Sequence, residues 1–111
     1  MALVIQSKAN NQVLASGQED NDSVFIFEDN WYYNPTAVDM TYLKVTDRKY
    51  TCPYKGVCVW VDLEMPGLKA RNIGWIYDNP MPGYERIKDR IAFYSRDTAG
   101  TVALRDTVSA R

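Results

Sequence analysis

The chain is interrupted too often to hold a long helix. Short runs of β-branched and aromatic residues, Val24-Phe25-Ile26-Phe27, Trp31-Tyr32-Tyr33 and Ile73-Gly74-Trp75-Ile76-Tyr77, are cut off by Glu28-Asp29-Asn30, Asn34-Pro35-Thr36 and Asp78-Asn79-Pro80. Branched and aromatic side chains suit a pleated, half-buried surface, whereas Asn, Asp, Pro and Gly supply the backbone conformations of turns. The pattern predicts a mainly β domain, a small antiparallel sandwich or partly open barrel with one short helix.

The remaining runs extend that reading. Residues 3–7 and 12–16 flank Asn10-Asn11 and predict an opening hairpin, and residues 24–27 and 31–33 predict a second. Residues 38–43 read as one helical turn or irregular packing. From Tyr50 the chain extends, because the residue before Pro53 is pushed toward β conformations. Over residues 56–61, Val57, Val59 and Val61 alternate with Cys58 and Trp60. Both faces of that strand are apolar, so it is expected to lie between a core and a second aromatic layer or a pocket. Met65-Pro66-Gly67 is a turn. Tyr84, Ile87 and Ile91 recur at helical spacing after Pro82, which predicts the short helix over residues 82–90. Residues 91–94 and 101–106 read as a last hairpin across Thr98-Ala99-Gly100, with a frayed tail after Thr107.

Composition narrows the function classes. A chain of 111 residues, 46% apolar and 13% aromatic, fits one domain spanning residues 1–111 that buries roughly 65% of its unfolded surface. The formal net charge of -1, with both signs dispersed, offers no stripe for nucleic acid or anionic lipid. The beginning of the chain lacks the basic and apolar regions of a signal peptide, and the apolar runs are too short to span a membrane as a helix. A soluble, cytoplasmic protein is expected. Two cysteines, no histidine and no CxxC pair leave no structural zinc site, and no cofactor is implied. The lack of histidine also removes Ser-His-Asp and Cys-His nucleophiles.

The chemistry is concentrated in Thr51-Cys52-Pro53-Tyr54-Lys55-Gly56, which sets a thiol, a phenol and an amine beside a rigid Pro and a permissive Gly. Together with Trp75-Ile76-Tyr77-Asp78-Asn79-Pro80 and Ile87-Lys88-Asp89-Arg90-Ile91-Ala92-Phe93-Tyr94, it resembles the domain of unknown function 427 family, sometimes labelled nucleotidyltransferase-like. Residues 28–33, Pro35, Val38 and Leu43 resemble that family's upstream segment. Cys58 departs from the family's usual small residue, and Trp60 from its common Tyr. The resemblance implies a compact β-tent-like domain, similar to folds in which an aromatic cage binds small cyclic ligands. Several relatives with that architecture hold zinc between two CxxC loops, and this sequence has neither loop. The Gly-Gly or Gly-Ser turn with paired carboxylates that a nucleotidyltransferase needs is also missing.

Three functional readings follow. The first is a small-molecule binding module, in which Cys52, Tyr54, Lys55, Trp75, Tyr77 and Tyr32 bind a ligand in a partly aromatic pocket and Lys55 orients its polar or anionic group. The second is an enzyme that uses the Cys52 thiol or the Lys55 amine as nucleophile, against the alternatives of a buried turn cysteine and a surface lysine. The third is a scaffold, with Trp31-Tyr32-Tyr33 as a partner or homodimer patch. Asp47, Asp62, Glu64, Asp78 and Glu85 read as turn or surface carboxylates.

Overall fold

The computed structural model describes residues 1–20 and 22–106. Within them the chain forms strands β1 (Ala2–Ser7), β2 (Val13–Gln18), β3 (Val24–Phe27), β4 (Asn30–Tyr33), β5 (Leu43–Cys52), β6 (Gly56–Met65), β7 (Leu68–Ile76), β8 (Ile91–Tyr94) and β9 (Thr101–Asp106). They make two antiparallel sheets, one in the order β2-β1-β9 and one in the order β3-β4-β8-β7-β6-β5. This is the mainly β, two-sheet architecture expected from the sequence. Among the described residues no helix is long and apolar enough to cross a membrane.

Strand alternation in the six-stranded sheet divides its side chains between two apolar layers. Val24, Trp31, Tyr33, Val61, Leu63, Ile73, Ile91 and Phe93 face the small sheet and pack on Leu3, Ile5, Leu14 and Ala15. The Tyr33 hydroxyl donates to the Leu3 carbonyl at 2.7 Å, so a buried polar group ties the two sheets together. Phe25, Tyr32, Cys58, Trp75 and Ala92 face the other way, with Phe27, Trp60 and Tyr94 packed beside them. The expectation that β6 lies between a core and an aromatic layer holds.

Several sequence expectations change. Residues 91–94 and 101–106 do not form a hairpin: β8 pairs with β4 and β7, whereas β9 pairs with β1. Gly100 makes the crossing between sheets, and an added Cβ there would come within 2.7 Å of the Ala70 Cβ. The short helix is realised only as a 3-10 turn, Glu85–Ile87. Gly83, at φ +96°, breaks the helical path, and Tyr84 and Ile87 instead pack on the aromatic layer. Of the two readings of residues 38–43 the irregular packing holds, with Val38, Tyr42 and Leu43 against the core, and a 3-10 turn lies just before them, at Pro35–Ala37. The tail after Thr107 lies outside the described residues.

Candidate functional site

The second apolar layer is not filled. Tyr84 and Ile87 cover one part of it, and beside them a cavity of about 160 Å³ opens to solvent. Its lining draws one aromatic from each of several strands: Tyr32 from β4, Tyr50 from β5, Trp60 from β6, Trp75 from β7 and Tyr94 from β8, with Tyr77 just beyond β7. Strand pairing brings them together, because Trp60 lies opposite Trp75, and Trp75 opposite Ala92, which in turn faces Tyr32. Trp75 is the central ring. It meets Tyr94 at 4.8 Å and Tyr32 and Trp60 each at 6.2 Å between centroids, all in edge-to-face geometry, as the ring quadrupoles favour. Its indole N–H donates to the Tyr32 hydroxyl at 3.2 Å.

Two hairpins supply the polar side. The β3–β4 turn, Glu28-Asp29, holds both residues at positive φ, 52° and 65°, the two-residue geometry that matches strand twist but is strained for residues with a Cβ. This turn directs the Glu28 carboxylate onto the Lys55 ammonium at 2.6 Å. Lys55 lies in the loop Pro53-Tyr54-Lys55, which connects β5 to β6 and is closed by Gly56 at φ +105°. The Met81 backbone N–H donates to the Lys55 carbonyl at 2.8 Å and fixes the loop against the segment after β7. The Lys55 side chain is only 14% exposed. Burial alone would lower its pKa, but Glu28, and Cys52 to a smaller degree, raise it above the ordinary lysine value.

The cysteines differ. Burial pushes the Cys52 thiol upward, but the backbone N–H groups of Lys55 and Tyr54 and the Lys55 ammonium outweigh it and bring the thiol below its usual value. Cys58 is 2% exposed, and burial raises its thiol pKa against a smaller opposing effect from the Tyr77 hydroxyl. Burial also raises the phenols of Tyr32, Tyr77 and Tyr94, which stay neutral donors. Both cysteines are free. Among the described residues no three His, Cys, Asp or Glu side chains gather in a group that could hold a metal ion.

Of the six residues singled out from sequence, Tyr32, Lys55, Trp75 and Tyr77 line the cavity. Cys52 packs beside the aromatic layer without lining it. Tyr54 is 73% exposed and lies outside the lining. Tyr50, Cys58, Trp60, Tyr94, Glu28 and Asn30 line the cavity and were missed; the alternation of Cys58 and Trp60 along β6 was the available signal. Trp31, Tyr32 and Tyr33 are each at most 1% exposed, which rules out the partner patch expected there, because all three point into apolar layers. Asp62 is also corrected. It is 6% exposed rather than a surface carboxylate, and its Oδ1 accepts from Arg48 Nη2 at 2.5 Å and from the Asn72 backbone N–H at 2.9 Å.

Fold and cavity together define a small two-sheet β domain with an aromatic site on the outer face of its larger sheet. The family model for the domain of unknown function DUF427 matches residues 4–104, and the chain belongs to that family. Among solved structures it is similar to the Mis18 "Yippee-like" domain, with a TM-score of 0.64 and 16% identity over 96% of this chain and 98% of that one. At that identity the likeness concerns the fold alone. No curated protein matches the sequence.

Proposed function

We propose that the chain is a small-molecule binding module whose cavity takes one planar ring carrying a hydrogen-bond acceptor. The observation that carries this reading is the cavity itself, an aromatic enclosure with donors at one side. Its 160 Å³ is close to the roughly 150 Å³ of an engineered apolar cavity that holds benzene. It falls below the roughly 300–1,000 Å³ of sites that take drug-sized ligands. A single ring therefore fits the enclosure. Ring faces and edges from Trp60, Trp75 and Tyr94 offer stacking, and Tyr32 has a proton to give: it accepts from Trp75 but donates to no described residue. Lys55, held as an ammonium by Glu28, adds a charged donor for a carbonyl or anionic oxygen.

A thermal-shift screen against single-ring metabolites tests this. Stabilisation by a ring bearing a carbonyl, reduced in Tyr32→Phe, supports the reading. No shift with any ring compound counts against it.

One observation keeps a thiol-dependent activity as a second reading, the depressed pKa of Cys52 beside a pinned ammonium. Two free cysteines fit a reducing compartment such as the cytoplasm. The amine version loses support, because Glu28 holds Lys55 protonated. Alkylation with a graded series of reagents separates the cases: Cys52 reacting no faster than a simple thiol removes the enzyme reading.

A further inference from the structure

The face of β6 that turns Cys58 and Trp60 toward the aromatic cavity turns Asp62 and Glu64 the same way, because residues two apart on a strand share a side. The step from Trp60 to Asp62 is about 6.7 Å. Over that step the surface changes from rings to charges. A groove of about 600 Å³ runs across β5, β6 and β7, bordered by Lys44, Arg48, Lys69 and Arg71 and by the acids Asp47, Asp62 and Glu64.

These charges are not evenly matched. Asp62 is occupied by Arg48 and the Asn72 backbone. Lys44 meets Glu64 only at 3.9 Å, an exposed pair worth little. The side chains of Lys69 and Arg71 make no hydrogen bond or ion pair among the described residues, although the Arg71 charge helps to lower the Asp62 pKa. The scaffold beneath them is fixed. The β5–β6 ladder slips between Val45 and Lys49, the β6–β7 ladder slips between Val61 and Leu63, and Asp62 ties both slips through Arg48 and Asn72. Thr46 Oγ1 donates to the Trp60 carbonyl at 2.8 Å, so the same irregularity anchors the backbone of a cavity residue.

We propose that this groove is a phosphate subsite, receiving the phosphoryl group of a ligand whose ring occupies the aromatic cavity. The ligand class is then a ring compound with a phosphorylated tail; this rests on the ring-binding reading of the cavity. The four basic side chains of the groove outnumber its three acids by one, and Lys69 and Arg71 are the two that no acid engages in an ion pair, so they are placed to meet an added anion, with Arg supplying a fork suited to phosphate.

The test titrates the isotope-labelled chain with inorganic phosphate and pyrophosphate at constant ionic strength and follows backbone amide resonances. Saturable shifts are expected around residues 44–48 and 69–71. They should weaken at least tenfold in the Lys69→Ala, Arg71→Ala double variant, whose side chains are exposed. They should persist in Lys88→Ala, an exposed lysine that bridges to Tyr77, past the end of β7 opposite to Lys69. No saturable shift, equal weakening in Lys88→Ala, or acetate binding as tightly as phosphate would overturn the subsite. The Trp75 indole N–H reports the cavity separately. Failure with inorganic phosphate therefore rejects the groove alone, and failure with ring compounds rejects the cavity reading.

Discussion

Gly74 sits where the aromatic site depends most on backbone approach. It pairs with Val61 on β6 and with Phe93 on β8, and a Cβ built on it would lie 2.5 Å from the Ala92 carbonyl oxygen. That is about 0.9 Å inside ordinary van der Waals contact, and the obstacle is backbone, which cannot rotate away. Gly74→Ala must therefore spread β7 from β8 or break one of its two pairings. Overpacking of this severity costs about 3 kcal/mol. The lower chain entropy of unfolded Ala relative to Gly returns about 0.5 kcal/mol, leaving a net loss of about 2.5 kcal/mol. With about 2.1 cal/mol/K of unfolding entropy per residue, 111 residues give about 0.23 kcal/mol/K, so Tm should fall by about 11 °C. Thermal melts followed by far-UV circular dichroism measure it, and near-UV signals should weaken as Trp75 loses its alignment with Tyr94. Gly67→Ala is the comparison: nothing lies within 4 Å of its Cβ, and only φ +82° opposes it. A Gly74→Ala Tm within about 3 °C of the parent would refute the reasoning, because a real backbone collision cannot cost so little.

Other expectations can be checked in parallel. Tyr32→Phe removes the acceptor of the Trp75 indole N–H, and about 1 kcal/mol, or about 4 °C of Tm, should be lost; an unchanged melt would show that this bond contributes nothing. The alkylation rate of Cys52 follows its thiolate fraction, so its pH midpoint should lie below that of a simple cysteine peptide measured alongside and rise in Lys55→Met, while Cys58, which is buried, reacts only on unfolding. A Cys52 midpoint at or above the ordinary value would contradict the loop electrostatics. Asp62 has a folded-state pKa below its unfolded one, so its contribution is fully present above about pH 4 and disappears as pH falls through the depressed value. The stability gap between the parent and Asp62→Asn should accordingly be constant near neutrality and close in acid. A gap that widens on acidification would reverse the assigned sign.

What the sequence disclosed follows from where each signal resides. The β3–β4 hairpin, residues 56–61 of β6 and residues 73–76 of β7 were legible because their apolar and aromatic residues are contiguous, whereas the charged remainders of β6 and β7 were not read as strand. β5 was missed over most of its length. Lys44, Asp47, Arg48 and Lys49 belong to an edge strand with one solvated face, and the slip after Val45 breaks its alternation. The false hairpin of residues 91–94 and 101–106 arose because partner choice is tertiary: a glycine that reads locally as a turn here crosses between sheets beside Ala70. The false helix came from Tyr84, Ile87 and Ile91, whose spacing reflects a 3-10 turn followed by a strand. At the site, Lys55, Trp75 and Tyr77 were recoverable from their motifs. Tyr50 and Tyr94 were not, since only cross-strand register brings them to the cavity. Asp62 read as a turn or surface carboxylate because its partners, Arg48 and Asn72, come from two other strands.

The three tryptophans provide the most direct test of the ring-binding cavity. Trp60 and Trp75 line it, whereas Trp31 lies on the opposite face of the sheet, buried in the inter-sheet core. Their indole N–H resonances can be followed while a single-ring carbonyl compound such as benzamide, and a panel of its analogues, is added. The account predicts saturable shifts of Trp60 and Trp75 with Trp31 unmoved. A panel in which Trp75 never shifts, or in which all three indoles move together, would contradict it.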